Sequence, residues 1–299
     1  MYGADGKTPE LRPASIKGLM RFWWRAVNGD SDIERLREAE EEIFGSINKR
    51  SKVVVRISIE SSSVKKISEL KKQCSYLFFS LYMQNDELQK NHEFKEYFES
   101  IKFRVTLSSY DKEALQEASY AFILLSLFGG LGSRSRRGGG SFKIESVSDN
   151  SYEKLIYINP NNIQKSLEQK YLNLSTLNLK VSNIKNTWDL ALKDINNKYK
   201  SFRKDEKILN NASFGLPIIF EDKQQKIEVL TEPKSDRRAS PLIIKVLKVE
   251  EKYYWLVLKL DGEFLPKGTK LIKKENGEEK ARGDIDEGIV DRFIRELKI

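Results

Sequence analysis

The sequence predicts an α+β protein of two domains. Its 299 residues are enough for two domains of ordinary size, and 39% of them are hydrophobic, so each domain can bury a core. Both halves of the chain mix helical and strand-like hydrophobic patterns. A polar, asparagine-rich passage begins near residue 149. We therefore expect one domain at residues 1–150 and a second at residues 151–299.

The first half predicts helices and strands in a recognisable order. Proline favours a helix start at Pro13, Ser31 and Glu34 form a capping box for a second helix that ends near Phe44, and Ser109 or Asp111 caps a third. Alternation or β-branched enrichment predicts strands over residues 52–59, 76–83, 101–107 and 141–147. Among these seven elements is the succession helix, strand, strand, helix, strand, which matches a ferredoxin-like βαββαβ unit that lacks its first strand.

The second half is less regular. It predicts two short strands over residues 155–158 and 174–181, a helix over residues 188–202, and apolar runs at residues 213–220 and 226–230. The strongest strand patterns follow at residues 241–249 and 253–260, and a helix over residues 286–297 closes the chain.

Composition excludes several classes of site. The chain has 53 Lys and Arg against 44 Asp and Glu, a formal charge of +9 that favours a polyanionic partner. A single cysteine, Cys74, and a single histidine, His92, exclude disulfide frameworks and the usual zinc sites. No apolar run reaches membrane-spanning length, and no signal peptide is evident. We expect a cytoplasmic protein with no cofactor, no bound metal and no membrane partner.

A glycine- and arginine-rich segment, residues 129–140, is the most informative motif. Its twelve residues, GGLGSRSRRGGG, include six glycines and three arginines, and apolar segments flank it on both sides. Glycine permits positive φ and close approach of a ligand to backbone N–H groups, while the arginine fork matches phosphate oxygens. The spacing fits neither a Walker loop nor a dinucleotide-binding fingerprint. A polyanion is the predicted ligand, and a flexible linker is the alternative.

Two further basic segments extend this prediction. Lys17, Arg21 and Arg25 lie one helical turn apart beside Trp24, and no acid occurs between Arg12 and Val27. A stripe of one sign beside an indole suits a phosphate backbone with a base stacked nearby, although an ordinary solvated face is the alternative. Arg237 and Arg238 form a second basic loop before the strongest strands.

The motifs resemble a known superfamily. Residues 11–26, the Ile43-Phe-Gly-Ser46 motif and residues 130–138 resemble the repeat-associated mysterious protein (RAMP) superfamily of CRISPR systems. Within it the chain is most similar to the family of first subunits of Cmr, or type III-B, RNA-targeting complexes. The resemblance implies two tandem ferredoxin-like domains, and as partners the CRISPR RNA (crRNA), target RNA and other Cmr subunits. It implies no small-molecule substrate.

The resemblance also implies a role. Such a subunit helps to capture target RNA at the end of the complex away from the crRNA 5′ tag, and a different subunit cleaves the target. In this family a hydrophobic strand precedes the Gly-x-Asp-Gly segment. Here that segment is residues 3–6, and the sequence begins at Met1, after the position where the strand would lie. We therefore expect the natural protein to begin upstream.

We expect an RNA-binding protein that is not an enzyme. The candidate RNA-binding residues are Arg12, Lys17, Arg21, Trp24, Arg25, Gly130, Gly132, Arg134, Arg136, Arg137, Gly138, Gly139, Arg237 and Arg238. One alternative is a metal-independent RAMP endoribonuclease, which would need a Lys, Tyr or Asp such as Asp5 as its general base. Another is a scaffold whose arginines pair with acidic neighbours in the complex.

Overall fold

The computed structural model describes residues 3, 5–29, 32–69, 74–79, 81, 95–156, 178–221, 225–234 and 237–299. In these residues the helices pack on three antiparallel sheets of two, three and four strands. The predicted α+β class is confirmed.

The helices of the first half begin where the sequence predicts. α1 spans Pro13–Val27 with proline in its first turn, α2 spans Ile33–Phe44, and α3 spans Lys112–Phe128. Asp32 caps α2 by accepting the backbone N–H groups of Glu34 and Arg35, and Asp111 caps α3 in the same way. Ser31, the predicted cap of α2, lies outside the described residues.

Two long strands form the first sheet. β1 (Val54–Lys66) pairs antiparallel with β2 (Glu96–Ser108), and their register places Val55 opposite Leu107 and Ile57 opposite Val105. These apolar pairs share one face because side chains alternate along a strand, and this face packs against the helices. β2 extends beyond both of its predicted ends, whereas β1 begins two residues later than predicted and ends beyond its predicted end.

Two predicted strands of the first half are wrong. The described part of residues 76–83 forms turns and helical residues, and Cys74, Leu77 and Phe78 are buried at the i, i+3, i+4 spacing of a helical segment. Residues 141–147 form no strand ladder. They reach the neighbouring strand through the Ser141 side chain, whose Oγ accepts the Val246 N–H, rather than through paired backbone.

The second half supplies the other two sheets. Its helices are the short α4 (Glu153–Ile156), then α5 (Trp188–Asp205) and α6 (Ile289–Glu296). The three-stranded sheet has the order β3 (Leu179–Val181), β7 (Lys252–Lys259), β6 (Leu242–Val249). The four-stranded sheet has the order β4 (Ile218–Glu221), β5 (Lys226–Glu232), β8 (Lys270–Glu275), β9 (Glu278–Gly283).

The differences from prediction here have simple causes. The described part of residues 155–158 is helical rather than extended, because the short run is compatible with either state. The sequence does not predict β8 and β9, because their residues, KLIKKE and EEKARG, include few apolar side chains. Of the strand predicted over residues 174–181, the described part contains β3, and residues 174–177 lie outside it.

The three-stranded sheet separates two hydrophobic clusters. Ile243 and Leu256 face the cluster built by α1 and α3, while Ile244 and Trp255 face the cluster built by α5, α6 and residues 74–78. Elements of both halves therefore bury surface on this sheet. The boundary near residue 150 stays a prediction, since neither core follows it.

Candidate nucleic-acid interface

The glycine loop, residues 129–140, is folded against itself. Leu131 N–H donates to Gly140 O at 2.9 Å, and the N–H groups of Arg137 and Gly139 both donate to Arg134 O, at 2.7 and 3.1 Å. These bonds close a compact turn directly after α3. The flexible-linker alternative is therefore wrong.

Several glycines permit close packing within this turn. A Cβ on Gly140, where φ is +62°, would lie 1.8 Å from Leu131 O, and a Cβ on Gly130 would lie 2.6 Å from Gly139 O. Positive φ at Gly132 and Gly138 confirms the conformational prediction for these residues. Arg134 also has a positive φ, +61°, although it is not a glycine. The loop thus fixes the direction of its arginines.

The loop is docked on β6 of the second half. Ile244 N–H donates to Arg136 O at 3.1 Å, so Arg137 and Ile244 form a single parallel bridge. On the other side, a Cβ on Gly138 would approach Leu192 of α5 to 2.6 Å. The loop is therefore wedged between a strand and a helix.

Lys245 of β6 bonds the loop at its first residue and the chain two residues after its last. Its side chain is buried, with Nζ 2.7 Å from Gly129 O and 3.1 Å from Phe142 O and the Phe142 ring 5.2 Å away. Burial lowers the pKa of Lys245 to about 7. The prediction from sequence did not include this residue. Its signal was a lone charge within the otherwise apolar run at the start of a strong strand.

Arg136 and Arg137 use their guanidinium groups mainly inside the protein. Arg137 donates to Phe214 O at 2.9 Å and Leu242 O at 3.3 Å, and it lies 4.9 Å from the Tyr199 ring centroid. Arg136 donates to Ser240 O and lies 5.0 Å from the Phe22 ring of α1. Burial lowers the pKa of both groups. Both side chains join the loop to its neighbours.

Arg134 is different because its guanidinium group makes no hydrogen bond or ion pair with the described part of the chain. Its Nε is buried without a partner, and its pKa is lowered first by burial and then by Arg137 and Arg237. Arg237 and Arg238 are exposed, and the backbone of Arg238 pairs with Leu216. The two basic loops are therefore neighbours, joined by the bond from Arg136 to Ser240 O.

The helix face predicted to bind RNA is largely occupied by contacts within the protein. Arg21 and Arg25 both pair with Glu40, a buried carboxylate of α2, and Lys17 donates to Ser51 Oγ and to Val53 O at 2.8 Å. Burial lowers the pKa of Lys17. The face is acid-free in its own sequence, but α2 brings an acid to it. That contact is nonlocal, so the spacing along α1 could not reveal it.

Trp24 corrects a second part of the prediction. Only 6% of this residue is exposed, and its indole N–H donates to Glu117 at 2.8 Å, so it is a core residue rather than a surface for stacking bases. Arg12 is exposed just before α1.

Comparisons with known proteins identify the family. Residues 2–143 match the RAMP superfamily model. The Pyrococcus furiosus protein named CRISPR system Cmr subunit Cmr1-1 is 31% identical over 284 residues, covering 84% of this chain and 80% of that protein. The chain belongs to the Cmr subunit 1 family of RAMP proteins. Cmr subunit Cmr1-2 of the same organism is 36% identical over 169 residues, covering 50% of this chain and 90% of that protein.

Solved structures agree with this family. The crystal structure of apo Cmr1 from Pyrococcus furiosus superposes with a TM-score of 0.65 at 28% identity, covering 86% of this chain and 83% of that chain. A chain of a type III-B Cmr-beta complex bound to cognate target RNA and AMPPnP shares the fold, with a TM-score of 0.57 at 15% identity over 97% of this chain and 93% of that chain. The predicted fold of tandem ferredoxin-like RAMP domains is thereby confirmed.

The described residues contain neither a membrane-spanning helix nor a cluster of metal-binding side chains. No helix among them is both long and apolar enough to cross a membrane. Nor do three or more His, Cys, Asp or Glu side chains within the described ranges come together as a metal site would require.

The closed turn predicts a large cost for a methyl group at Gly140. Gly140→Ala should lower the free energy of unfolding by about 1–3 kcal/mol more than Gly268→Ala, because the new Cβ collides with Leu131 O. Gly268 is the matched control, since its φ is also positive but nothing lies within 4 Å. Urea unfolding measures both, and equal losses would contradict the tight turn.

The bonds of Arg137 predict that neighbouring arginines have separate roles. Arg137→Gln should lower the free energy of unfolding by about 1.5–3 kcal/mol, because it leaves the buried carbonyls of Phe214 and Leu242 without a hydrogen-bond donor. Arg134→Gln should be neutral or stabilising, since it removes a buried donor that has no partner. Chemical denaturation of the two variants tests this, and equal destabilisation would refute it.

Lys245 predicts a distinct pH dependence. Its pKa is 10.5 when unfolded and about 7 when folded, so between these values the unfolded chain binds more protons and stability rises with pH. Relative to Lys245→Met, the unchanged chain should therefore gain stability as pH rises from 7 towards 10. Lys252→Met, an exposed site on β7, is the control. Parallel stability curves for the unchanged chain and Lys245→Met would contradict this.

Proposed function

We propose that this chain is a non-catalytic RNA-binding subunit of a type III-B Cmr effector complex. Its proposed partners are crRNA, target RNA and other Cmr subunits, and its role is to help capture target RNA. The family resemblance implies a position at the end of the complex away from the crRNA 5′ tag. A chain of the same fold in a Cmr-beta complex bound to cognate target RNA supports the proposal.

The observation that carries this proposal is the unbalanced charge where the two basic loops meet. Arg134, Arg237 and Arg238 form no ion pair with any carboxylate that the structure describes, and Arg137 lies beside them. Arg21 and Arg25 of α1, by contrast, both pair with Glu40. The phosphates of an RNA strand would neutralise the unpaired guanidinium groups of the two basic loops, and such contacts do not depend on the base sequence.

The assignment of residues follows from these contacts. The phosphates of the RNA are contacted by Arg134, Arg237, Arg238 and Arg12. The loop can fold tightly beneath the RNA strand because it contains Gly130, Gly132, Gly138 and Gly139. Arg136 and Arg137 hold the loop on β6. Lys17, Arg21 and Arg25 contribute long-range attraction, since their nearest partners lie within the protein.

The candidate bases argue against the endoribonuclease alternative. Asp5 accepts hydrogen bonds from Thr8 and from the backbone of Lys7, which lower its pKa to about 2 and make it a poor general base. Lys245 has a pKa near 7, but its Nζ is buried and bonded to two carbonyls. Incubating the protein with crRNA and target RNA in EDTA tests this directly. We expect both RNAs to remain intact, and specific cleavage would favour the nuclease.

Loss of two arginines should weaken RNA binding equally for all sequences. For Arg134→Gln with Arg237→Gln, we expect the slope of log K against log salt to fall by about 1.4, which corresponds to two lost phosphate contacts on single-stranded RNA. Filter binding of the free protein over a salt series measures affinity and slope.

Arg282→Gln is the control for this experiment, because Arg282 on β9 is already paired with Glu232 and Glu279. It should bind RNA like the unchanged chain. Unchanged affinity of the double variant at low salt would refute RNA-backbone contact. Absence of binding by the unchanged protein would favour the scaffold alternative.

A further inference from the structure

Two buried polar atoms in the described part of the chain have no hydrogen-bond partner, and they belong to one cluster. They are Nε of Arg134, in the glycine loop, and the hydroxyl oxygen of Tyr199, on α5. The Arg137 N–H donates to Arg134 O at 2.7 Å, and the Arg137 guanidinium lies 4.9 Å from the Tyr199 ring centroid, so Arg134 and Tyr199 belong to the same region. Buried polar groups are nearly always satisfied in folded proteins, so this pair indicates a missing partner.

The surroundings of the pair are strongly cationic. The guanidinium of Arg137 lies 4.9 Å from the Tyr199 ring centroid, and that of Arg203 lies 5.4 Å from it. The second basic loop adjoins the glycine loop, since Arg136 donates to Ser240 O, and its Arg237 is close enough to lower the pKa of Arg134. The groups that affect the pKa of Arg134 and Arg137 include arginines and tyrosines but no Asp or Glu.

The neutral partners of these arginines do not offset their charge. Arg137 donates to backbone carbonyls, and Arg203 donates to the amide oxygen of Asn211 at 3.0 Å. Uncompensated charge away from water is costly, and a water molecule would satisfy the unpartnered donors without neutralising it. An anion would do both.

We infer that Arg134, Tyr199 and Arg237 form a discrete binding site for one phosphate-sized oxyanion beneath the glycine loop. The guanidinium of Arg134 and the hydroxyl of Tyr199 donate to its oxygens, and Arg137 and Arg203 supply positive potential from behind. The anion is either inorganic phosphate or one phosphate of an RNA strand. The second source rests on the proposed function, whereas the existence of the site does not.

Tyr199→Phe isolates the site because it removes one oxygen and no charge. In phosphate-free buffer the variant should unfold at the same temperature as the unchanged chain or a higher one, since the lost hydroxyl has no partner. Inorganic phosphate should raise the unfolding temperature of the unchanged chain at constant ionic strength. At about ten times the dissociation constant, it favours the native state about tenfold.

Tyr199→Phe and Arg134→Gln should each need at least about tenfold more phosphate for an equal shift. Tyr254→Phe is the control, because it removes a phenol oxygen from the other hydrophobic cluster and should respond like the unchanged chain. No response of the unchanged chain to phosphate would overturn the inference. So would an equal response from Tyr199→Phe, which would indicate general screening.

A second arm of the experiment identifies the source of the anion. If RNA supplies it, saturating single-stranded RNA abolishes the phosphate-dependent shift, and Tyr199→Phe binds RNA several-fold more weakly. If free phosphate is the ligand, RNA and phosphate bind independently. Both results keep the site. Because Tyr199→Phe leaves the arginines that attract RNA unchanged, this inference and the proposed function can fail separately.

Discussion

The docking of the glycine loop on β6 is the constraint on which the candidate site depends. The buried Lys245 side chain donates to the carbonyls of Gly129, at the start of the loop, and of Phe142, two residues after its end, and the Ile244 N–H donates to Arg136 O in its middle. Gly129 O lies at the C-terminus of α3, where the helix dipole favours a cation. The loop therefore behaves as part of the second half's sheet, although its sequence belongs to the first half. This places Arg134 beside Arg237.

Local sequence was a good guide to local structure. The starts of α1 and α3 followed from proline and aspartate at the positions that favour them, and β6 and β7 followed from strong apolar patterns. The glycines of residues 129–140 predict a segment that can adopt positive φ, and Gly132, Gly138 and Gly140 do so. Strands with few apolar residues, such as β8 and β9, could not be recognised, because their stability depends on neighbouring strands.

The candidate site was harder to predict because its electrostatics are nonlocal. The basic stripe on α1 has no acid within its own helix, yet Glu40 of α2 pairs with two of its arginines. The spacing of Trp24 places it at the border of the buried face, whereas only 6% of the residue is exposed in the structure. Conversely, Tyr199 and Arg203 lay in an ordinary amphipathic helix, and only the fold brings them under the glycine loop.

The central claim is that an RNA strand runs across the meeting point of the two basic loops. Photo-crosslinking with 4-thiouridine-containing single-stranded RNA, followed by mass spectrometry of the digested protein, tests it directly. We expect crosslinks in the peptides that contain residues 130–140 and 237–240, which decline as salt is raised. Crosslinks confined to other surfaces, such as the outer face of β8 and β9, would contradict the account.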